Sequence, residues 1–247
     1  MQIWIQGETE MDCFLRKCCE DHGMTVSMPN DCDLAVLRFP YALMTQELID
    51  SFSGGQKIVC GLLPEETESI LREKKCALLY PLKNEQYLTE NARLTAEGAV
   101  WAAMNKMSIA LCDAKCLVIG YGRIGKELTK RLRSFGAKVI VAARRVESCA
   151  AAGENIISLG EIQPVIKKMD LILNTVPATI IQESSLFSIK NTAFLFELAS
   201  KPYGFDMQRA KALGIRAYLE SGLPGRYCPE SAASALYRFI ERSVQIE

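Results

Sequence analysis

The stretch Cys116-Leu-Val-Ile-Gly120-Tyr-Gly122-Arg-Ile-Gly125-Lys-Glu-Leu128 decides the fold of this chain. It sets the spacing Gly-x-Gly-x-x-Gly directly after an apolar run of strand length and directly before an amphipathic segment of helix length. In that context Gly120 makes the tight turn, Gly122 lets the backbone approach a pyrophosphate, and Gly125 lets the helix lie close to the sheet. The stretch therefore predicts a nucleotide-binding turn whose helix amino end faces the phosphates. A glycine-rich turn in an unrelated α/β protein is the alternative.

Apolar runs of strand length alternate with amphipathic segments of helix length on both sides of this stretch. The first series has strands at Ile3–Ile5, Leu34–Leu37, Ile58–Cys60 and Ala77–Tyr80, and helices at Met11–Glu20, Gln46–Phe52 and Glu65–Lys74. The second has strands at Cys116–Ile119, Val139–Ala142, Leu171–Asn174, Phe194–Leu198 and Arg216–Leu219, and helices at Ile124–Phe135, Glu161–Lys168 and Asp206–Leu213. Such alternation is typical of parallel sheets in α/β proteins.

This alternation predicts two Rossmann-like lobes with a cleft between them that binds ligands. The carboxyl-terminal lobe, 115–228, is expected to be a doubly wound parallel sheet that binds the dinucleotide. The amino-terminal lobe, 1–93, is a smaller α/β lobe expected to bind the substrate, and the last amphipathic segment, 229–247, is expected to join it. An apolar-periodic stretch predicts a connecting helix at 94–114.

The composition excludes several classes of protein. The chain has 247 residues with 29 basic and 29 acidic side chains, so it lacks the basic excess of a nucleic-acid binder or a membrane-surface protein. Its single histidine, His22, excludes a metal site built from several imidazoles. Ten cysteines without a Cys-x-x-Cys pair indicate reduced thiols in a cytoplasmic protein. The sequence has neither a signal-peptide pattern nor the roughly 20 apolar residues that span a bilayer.

Charge is unevenly distributed along the neutral chain. Residues 1–94 hold 9 basic and 15 acidic side chains, whereas 115–145 hold 9 basic side chains and one acidic. The basic surplus therefore coincides with the segment that is expected to meet the cofactor phosphates.

The end of the next strand predicts which dinucleotide binds. A site for NAD places an acid about 20 residues into the motif, where it accepts hydrogen bonds from ribose hydroxyls. In Lys138-Val-Ile-Val-Ala-Ala143-Arg144-Arg145 that place holds alanine, and two arginines follow. Guanidinium groups bind a 2′-phosphate by forked, charge-assisted hydrogen bonds, whereas a carboxylate would repel it. We therefore expect NADP(H), and a solvated turn is the alternative for the two arginines.

The remaining cofactor contacts are expected at the ends of later strands. Ligands of open α/β sheets sit at the carboxyl ends of the strands, so the segments that follow the strands at 171–174 and 194–198 should face the cofactor. Ordinary turn chemistry is the alternative for both segments. The predicted cofactor-binding residues are Gly120, Tyr121, Gly122, Arg123, Ile124, Gly125, Ala143, Arg144, Arg145, Asn174, Thr175, Val176, Pro177, Leu198, Ala199 and Ser200.

Two further stretches are candidates for binding substrate. Arg93-Leu-Thr95-Ala-Glu97 begins the predicted connecting helix, so Thr95 and Glu97 are expected at its amino end. Ser221-Gly-Leu-Pro-Gly-Arg226 leads into the last helix, whose amino end attracts carboxylates. Helix capping is the alternative for Thr95 and Ser231.

The run from about Thr95 to Ser234 resembles the A chains of the dipicolinate synthase family. The resemblance is carried by four segments, Val118–Gly125, Asn174–Pro177, Leu198–Pro202 and Gly222–Gly225. It implies an NADP-linked oxidoreductase of spore-forming bacteria that oxidises dihydrodipicolinate to pyridine-2,6-dicarboxylate during sporulation. It also implies a flavoprotein-like B chain as partner and a place in the cytoplasm of the mother cell. The first ninety or so residues match the family poorly, and Glu197 and Tyr203 stand where the family has aspartate and glycine.

Under this resemblance the substrate is a small dicarboxylate, and the chemistry needs no imidazole. Arg38, Arg93, Lys201 and Arg226 are the candidates for holding the two carboxylates, assisted by Ser231 at the last helix. Glu97, with Thr95 beside it, is the catalytic candidate, and Glu97 or water takes the proton. A homo-oligomer is compatible with the sequence. A hydroxyacid-type dehydrogenase and a non-catalytic NADP(H)-binding relative are the alternatives. The first relies on a histidine paired with an acid, and the cofactor lobe of this chain has no histidine.

Overall fold

The computed structural model of the chain describes residues 1–37, 44–150 and 155–244. The chain forms two compact units, one of Met1–Asn91 with Pro224–Glu247 and one of Ala92–Leu223. Each unit contains one sheet, and every recorded strand pair is parallel. The predicted α/β class with two Rossmann-like sheets is therefore confirmed.

The regular elements follow one another along the whole chain. The strands are β1 (Gln2–Ile5), β2 (Thr25–Val26), β3 (Leu34–Val36), β4 (Lys57–Val59), β5 (Ala77–Leu79), β6 (Lys115–Ile119), β7 (Lys138–Ala143), β8 (Ile156–Ser158), β9 (Leu171–Asn174), β10 (Phe194–Glu197) and β11 (Arg216–Leu219). The α-helices are α1 (Glu10–Asp21), α2 (Gln46–Ser51), α3 (Glu65–Glu73), α4 (Glu85–Lys106), α5 (Arg123–Ser134), α6 (Glu147–Ala150), α7 (Ile162–Ile166), α8 (Glu183–Leu186), α9 (Met207–Ala212), α10 (Leu223–Tyr227) and α11 (Pro229–Val244).

The first unit is a five-stranded sheet with the strand order β2-β1-β3-β4-β5, the order of flavodoxin-like folds. Helix α1 begins with a capping box, in which the Thr9 hydroxyl accepts from the Asp12 amide while the Asp12 carboxylate accepts from the Thr9 amide. Helix α11 completes this unit, because Leu236 and Ile240 are buried in one cluster with Ile3 of β1. The core of the unit is therefore shared between the first and the last segments of the chain.

The second unit is a six-stranded sheet with the order β11-β10-β9-β6-β7-β8. Counted from β6, this is the order 6-5-4-1-2-3 of the dinucleotide-binding fold. The order reverses between β6 and β9, which pair with Ile119 opposite Asn174. Both strands are buried on both faces, as central parallel strands are. Ligands of such sheets bind beyond the carboxyl ends of the strands at this reversal.

Helix α4 differs from the predicted connecting helix. It begins at Glu85 because the Asn84 side chain accepts from the Tyr87 amide and caps the first turn, and it ends at Lys106. Residues 107–110 lie outside the helix, and Leu111–Asp113 form a single 3-10 turn before β6. The predicted bounds followed the apolar residues of the stretch, whereas the polar first turns of the helix carry no such signal. Thr95 and Glu97 consequently lie in the middle of α4.

Candidate dinucleotide-binding site

The turn between β6 and α5 brings two closely packed glycines together at the point where the strand order reverses. Gly120 has a φ of 97°, which side-chain-bearing residues rarely adopt, and a Cβ there would lie 2.4 Å from Thr175 Oγ1. A Cβ on Gly125 would lie 2.1 Å from the carbonyl oxygen of Gly120. Only glycine fits at either position, since both distances are far below van der Waals contact.

Gly122 is the residue of this turn that faces open space. It is exposed and directly precedes α5, and a Cβ added to it would meet no atom of the described residues within 4 Å. The first N–H groups of a helix lack partners within the helix and carry the positive end of its dipole. The turn formed by residues 120–125, which we call the phosphate cradle, therefore fits a pyrophosphate. The half-buried Tyr121 and Ile124 and the exposed Arg123 belong to the same turn.

The end of β7 presents two cations beside the glycine turn. The Gly120 amide donates to the Ala142 carbonyl oxygen at 2.8 Å, which ties the turn to the last residues of β7. Ala143 ends the strand in a buried position, and Arg144 and Arg145 follow it exposed. The end of β7, where alanine and two arginines stand in place of an acid, therefore lies next to the phosphate cradle.

A buried carboxylate joins the ends of β9 and β10. Asn174 and Glu197 are both 0% exposed, and Asn174 Nδ2 donates to Glu197 Oε1 at 2.8 Å. The amides of Ala199 and Gly204 donate to the two oxygens of Glu197 at 2.9 and 2.7 Å. Burial raises the pKa of Glu197, and the N–H donors oppose that shift. The Glu197 side chain therefore joins the loop after β10 to the end of β9.

Two side chains predicted to face the cofactor form hydrogen bonds within the protein. Asn174 also donates to the Val176 carbonyl oxygen at 2.9 Å, and its Oδ1 accepts from the Val176 amide. The Thr175 hydroxyl donates to the Ile119 carbonyl oxygen at 2.8 Å. Both therefore shape the turn, in which Thr175 and Val176 are half-buried and Pro177 is exposed.

The sequence comparison identifies the family on more than half of the chain. The profile described as "D-isomer specific 2-hydroxyacid dehydrogenase, NAD binding domain" matches residues 63–200.

The chain belongs to this family.

Membership of the 2-hydroxyacid dehydrogenase NAD-binding family accounts for the glycine turn and means that the chain carries the nicotinamide-cofactor domain of an oxidoreductase. One curated relative is the dipicolinate synthase A chain of Bacillus subtilis, which is 26% identical over 203 residues, or 81% of this chain and 68% of the relative. The resemblance to the dipicolinate synthase A chains is therefore confirmed.

Solved structures of such A chains have the same fold. The dipicolinate synthase A chain from Bacillus halodurans superposes with a TM-score of 0.87 at 21% identity, covering 100% of this chain and 98% of the other. The A chain from Bacillus subtilis superposes with a TM-score of 0.82 at 22% identity, covering 99% and 95%.

The structure does not place the two predicted catalytic residues, Thr95 and Glu97, at the amino end of a helix. Thr95 is buried in the middle of α4, and Glu97 is a side chain 69% exposed, so neither lies at a helix amino end. Glu97 forms an ion pair with Arg131 at 3.8 Å. Arg131 lies eight residues along α5 from Arg123, or about 12 Å from the phosphate end at 1.5 Å per residue. Glu97 therefore lies toward the end of α5 that faces away from the cradle.

The predicted substrate residues belong to different parts of the fold. Arg93 is exposed on α4, and Lys201 is exposed in the loop after β10. Arg226 and Ser231 are exposed in the first unit, where Arg226 donates to the Tyr227 hydroxyl at 3.1 Å. Arg38 lies outside the described residues.

Sequence reasoning missed Glu197 as the organising residue of the site. The signal was an acid at the last position of Phe194-Leu-Phe-Glu197, an otherwise apolar strand that is buried throughout. Two of the predicted cofactor residues, Asn174 and Ala199, donate hydrogen bonds to this side chain, and a third, Leu198, lies between Glu197 and Ala199 in the chain. An acid at the end of a buried apolar strand is therefore the sequence signal for the loop after β10.

Other site chemistries have no support within the described ranges. Residues 1–37, 44–150 and 155–244 contain no group of three His, Cys, Asp or Glu side chains that could hold a metal ion. His22 directly follows α1; its Nδ1 contacts the Cys18 carbonyl oxygen, and its ring centroid lies 4.5 Å from that of Tyr237. Among the helices in these ranges, none is both long and apolar enough to cross a membrane.

Proposed function

We propose that this protein oxidises dihydrodipicolinate to pyridine-2,6-dicarboxylate with hydride transfer to NADP, as the A chain of a dipicolinate synthase. The observation that carries this proposal is the similarity to the A chain of Bacillus subtilis over 203 residues, which is 81% of this chain. The match is too long to be explained by the glycine motif alone.

The choice of NADP over NAD rests on the end of β7. Ala143 occupies the place where a carboxylate would accept from the ribose hydroxyls, and Arg144 and Arg145 are exposed beside it. The pair supplies donors for a 2′-phosphate without a competing negative charge. NADP(H) is therefore the proposed cofactor.

The reaction removes one hydride and one proton from the dihydropyridine ring. The nicotinamide ring supplies the hydride acceptor when the cofactor is bound. The remaining proton passes to water or to a base, and the formation of an aromatic ring drives the step. The protein therefore has to orient the substrate and exclude competing water more than it has to provide a strong base.

The side chains proposed to orient the substrate are cationic. Lys201 follows β10 in the loop held by Glu197, and Arg93, Arg226 and Arg38 are the other candidates for binding the two carboxylates. The first turn of α11, with Ser231, supplies helix N–H groups of the kind that carboxylates favour. A flavoprotein-like B chain is the proposed partner, and the cytoplasm of the mother cell of a spore-forming bacterium is the proposed location.

The test combines binding with turnover. NADPH and NADH are titrated into the purified protein by nicotinamide fluorescence, and NADPH is expected to bind more tightly. Freshly prepared dihydrodipicolinate is then added with NADP, with and without a B chain. The expected result is one pyridine-2,6-dicarboxylate formed per NADPH, each followed at its own absorbance band. Binding without turnover under both conditions would contradict the proposed dehydrogenase activity and favour a non-catalytic NADP(H)-binding protein.

The second candidate is a hydroxyacid-type dehydrogenase, which the family profile itself favours. That chemistry uses a histidine paired with an acid, and the sole histidine here, His22, directly follows α1 and contacts a backbone carbonyl. Turnover of D-lactate or another D-2-hydroxyacid in the same assay would select this candidate over the first.

Glu97→Gln is expected to change turnover of dihydrodipicolinate less than about twofold. Glu97 is exposed and pairs with Arg131 away from the phosphate end of α5, so the loss of its charge removes only a surface ion pair. Steady-state rates against substrate concentration measure the effect, with Glu90→Gln as the matched control because Glu90 pairs with Arg238. A drop of a hundredfold in the Glu97 variant alone would restore Glu97 as the proton acceptor.

A further inference from the structure

Glu197 is a buried carboxylate whose recorded partners are all N–H donors. Asn174 Nδ2 reaches both of its oxygens, at 2.8 and 3.1 Å, and the amides of Ala199 and Gly204 reach one oxygen each. No ion pair to Glu197 occurs within residues 1–37, 44–150 and 155–244. Since every partner donates, the ionised carboxylate satisfies all of them, and a buried carboxylate with several such bonds is a rigid junction.

The partners of Glu197 belong to two separate turns. Asn174 ends β9 and bonds the turn that leads to Pro177, while Ala199 and Gly204 belong to the loop after β10. Gly204 packs so closely that a Cβ on it would lie 2.2 Å from Asn174 Nδ2. Its carbonyl oxygen also accepts from the Ile181 amide at 2.9 Å. The two turns therefore form one wall, which we call the β9–β10 wall: residues 174–177 and 198–204.

The β9–β10 wall also contacts the phosphate cradle. A Cβ on Gly120 would lie 2.4 Å from Thr175 Oγ1 and 2.8 Å from Val176 Cγ2, so the wall sits directly against the glycine turn. Dinucleotides straddle the reversal in strand order, with one half on each side. Arg144, beyond β7, lies on the side that takes the adenosine half, and the β9–β10 wall lies on the nicotinamide side.

We propose that Glu197 is a positioning residue that fixes the β9–β10 wall and thereby sets the affinity for the nicotinamide half of the cofactor. The inference rests on the proposed function for its ligand, a nicotinamide dinucleotide phosphate. Glu197 acts through the turns that it holds and is itself buried away from the ligand. Its loss should therefore weaken the contacts of one half of the dinucleotide and leave those of the other half unchanged.

Glu197→Gln tests this separation because it preserves size and removes one acceptor. The new NH2 group would face an N–H donor, so at least one turn loses its bond and the donor is left buried. The dissociation constant for NADPH is expected to rise about tenfold or more, and that for 2′-phospho-ADP-ribose, which lacks nicotinamide, to change less than about twofold. Both are measured by calorimetric titration of the full chain.

Glu220→Gln is the matched control. Glu220 is a second buried glutamate, 4% exposed, that directly follows the neighbouring strand β11 and pairs with Lys106 at 3.1 Å. Because its carboxylate pairs with Lys106 of α4, its variant should bind NADPH and the fragment in the same ratio as the wild type. A shift in that ratio equal to the Glu197 variant's would contradict the proposal, since it would follow from any buried glutamate at this edge.

Glu197→Asp supplies a second variant should the glutamine variant not fold. It keeps the charge, and its carboxylate is one methylene too short to reach both turns, so a smaller change in the same ratio is expected. Equal losses for NADPH and the fragment, or no loss for either, would overturn the positioning role. Failure of the wild type to bind either ligand would instead contradict the proposed cofactor and hence the proposed function.

Discussion

Replacing Gly122 with alanine is expected to lower NADPH affinity by about a hundredfold, or about 2.7 kcal/mol, while leaving the fold intact. The Cβ would project into the space where the backbone must approach the pyrophosphate. No atom of the described residues lies within 4 Å of that Cβ, and Gly122 has a φ of −78°, which alanine adopts without strain. Calorimetric titration measures the affinity, and thermal unfolding should change by no more than about 2 °C.

Two other glycines are the controls for this loss. Gly160→Ala should change neither binding nor stability, because a Cβ there would have its nearest neighbour 3.9 Å away. Gly125→Ala should lose both, because its Cβ would lie 2.1 Å from the Gly120 carbonyl oxygen and such overpacking costs about 1–3 kcal/mol. Wild-type affinity in the Gly122 variant would show that the pyrophosphate does not lie against this turn.

The triple substitution Ala143→Asp, Arg144→Ala and Arg145→Ala is expected to reverse the cofactor preference from NADPH to NADH. Each charge-assisted hydrogen bond to a 2′-phosphate contributes about 1.5–3 kcal/mol, so the loss of both arginines should weaken NADPH by about a hundredfold or more. The new carboxylate stands where β7 ends, and it would repel the phosphate and accept from the free ribose hydroxyls. Parallel titrations with NADPH and NADH give the ratio of affinities.

A matched loss of charge separates local contacts from the general basicity of this segment. Lys130→Ala with Lys138→Ala also removes two exposed cations, and Lys138 begins β7 at the opposite end of the strand, about 20 Å from Arg144. This variant should weaken both cofactors slightly and equally. An unchanged preference in the triple variant would mean that the arginines are solvated turn residues and that the protein does not select NADPH over NADH through them.

The sequence predicts the elements whose signal is local. The predicted bounds of β9 and β11 match the structure to the residue. For β9 the reason is that a strand buried on both faces needs a continuous apolar segment. The short strands β2 and β8 were not predicted, since two or three residues at a sheet edge carry no periodicity. The start of α4 was missed because Asn84, its cap, precedes a polar first turn.

The candidate site divides in the same way. The glycine spacing and the arginines after β7 follow from chemistry that is written in consecutive residues. The hydrogen bond between Asn174 and Glu197 joins residues 23 positions apart and depends on strand order, so a pattern of consecutive residues does not predict it. Glu97 was misplaced for a related reason, since its predicted role required a helix that starts near residue 94 rather than at Glu85.

The position of α11 has a consequence for biosynthesis. Residues 92–223 form their unit from one continuous segment, so that unit can close its core while the ribosome is still at work. The amino-terminal unit emerges earlier, but Ala233, Leu236 and Ile240, which pack in one core with Ile3 and Leu15, follow the whole second unit in the chain. The core of the amino-terminal unit can therefore be completed only after all of the second unit has been synthesised, and the apolar face of β1 and α1 that α11 covers stays uncovered until then.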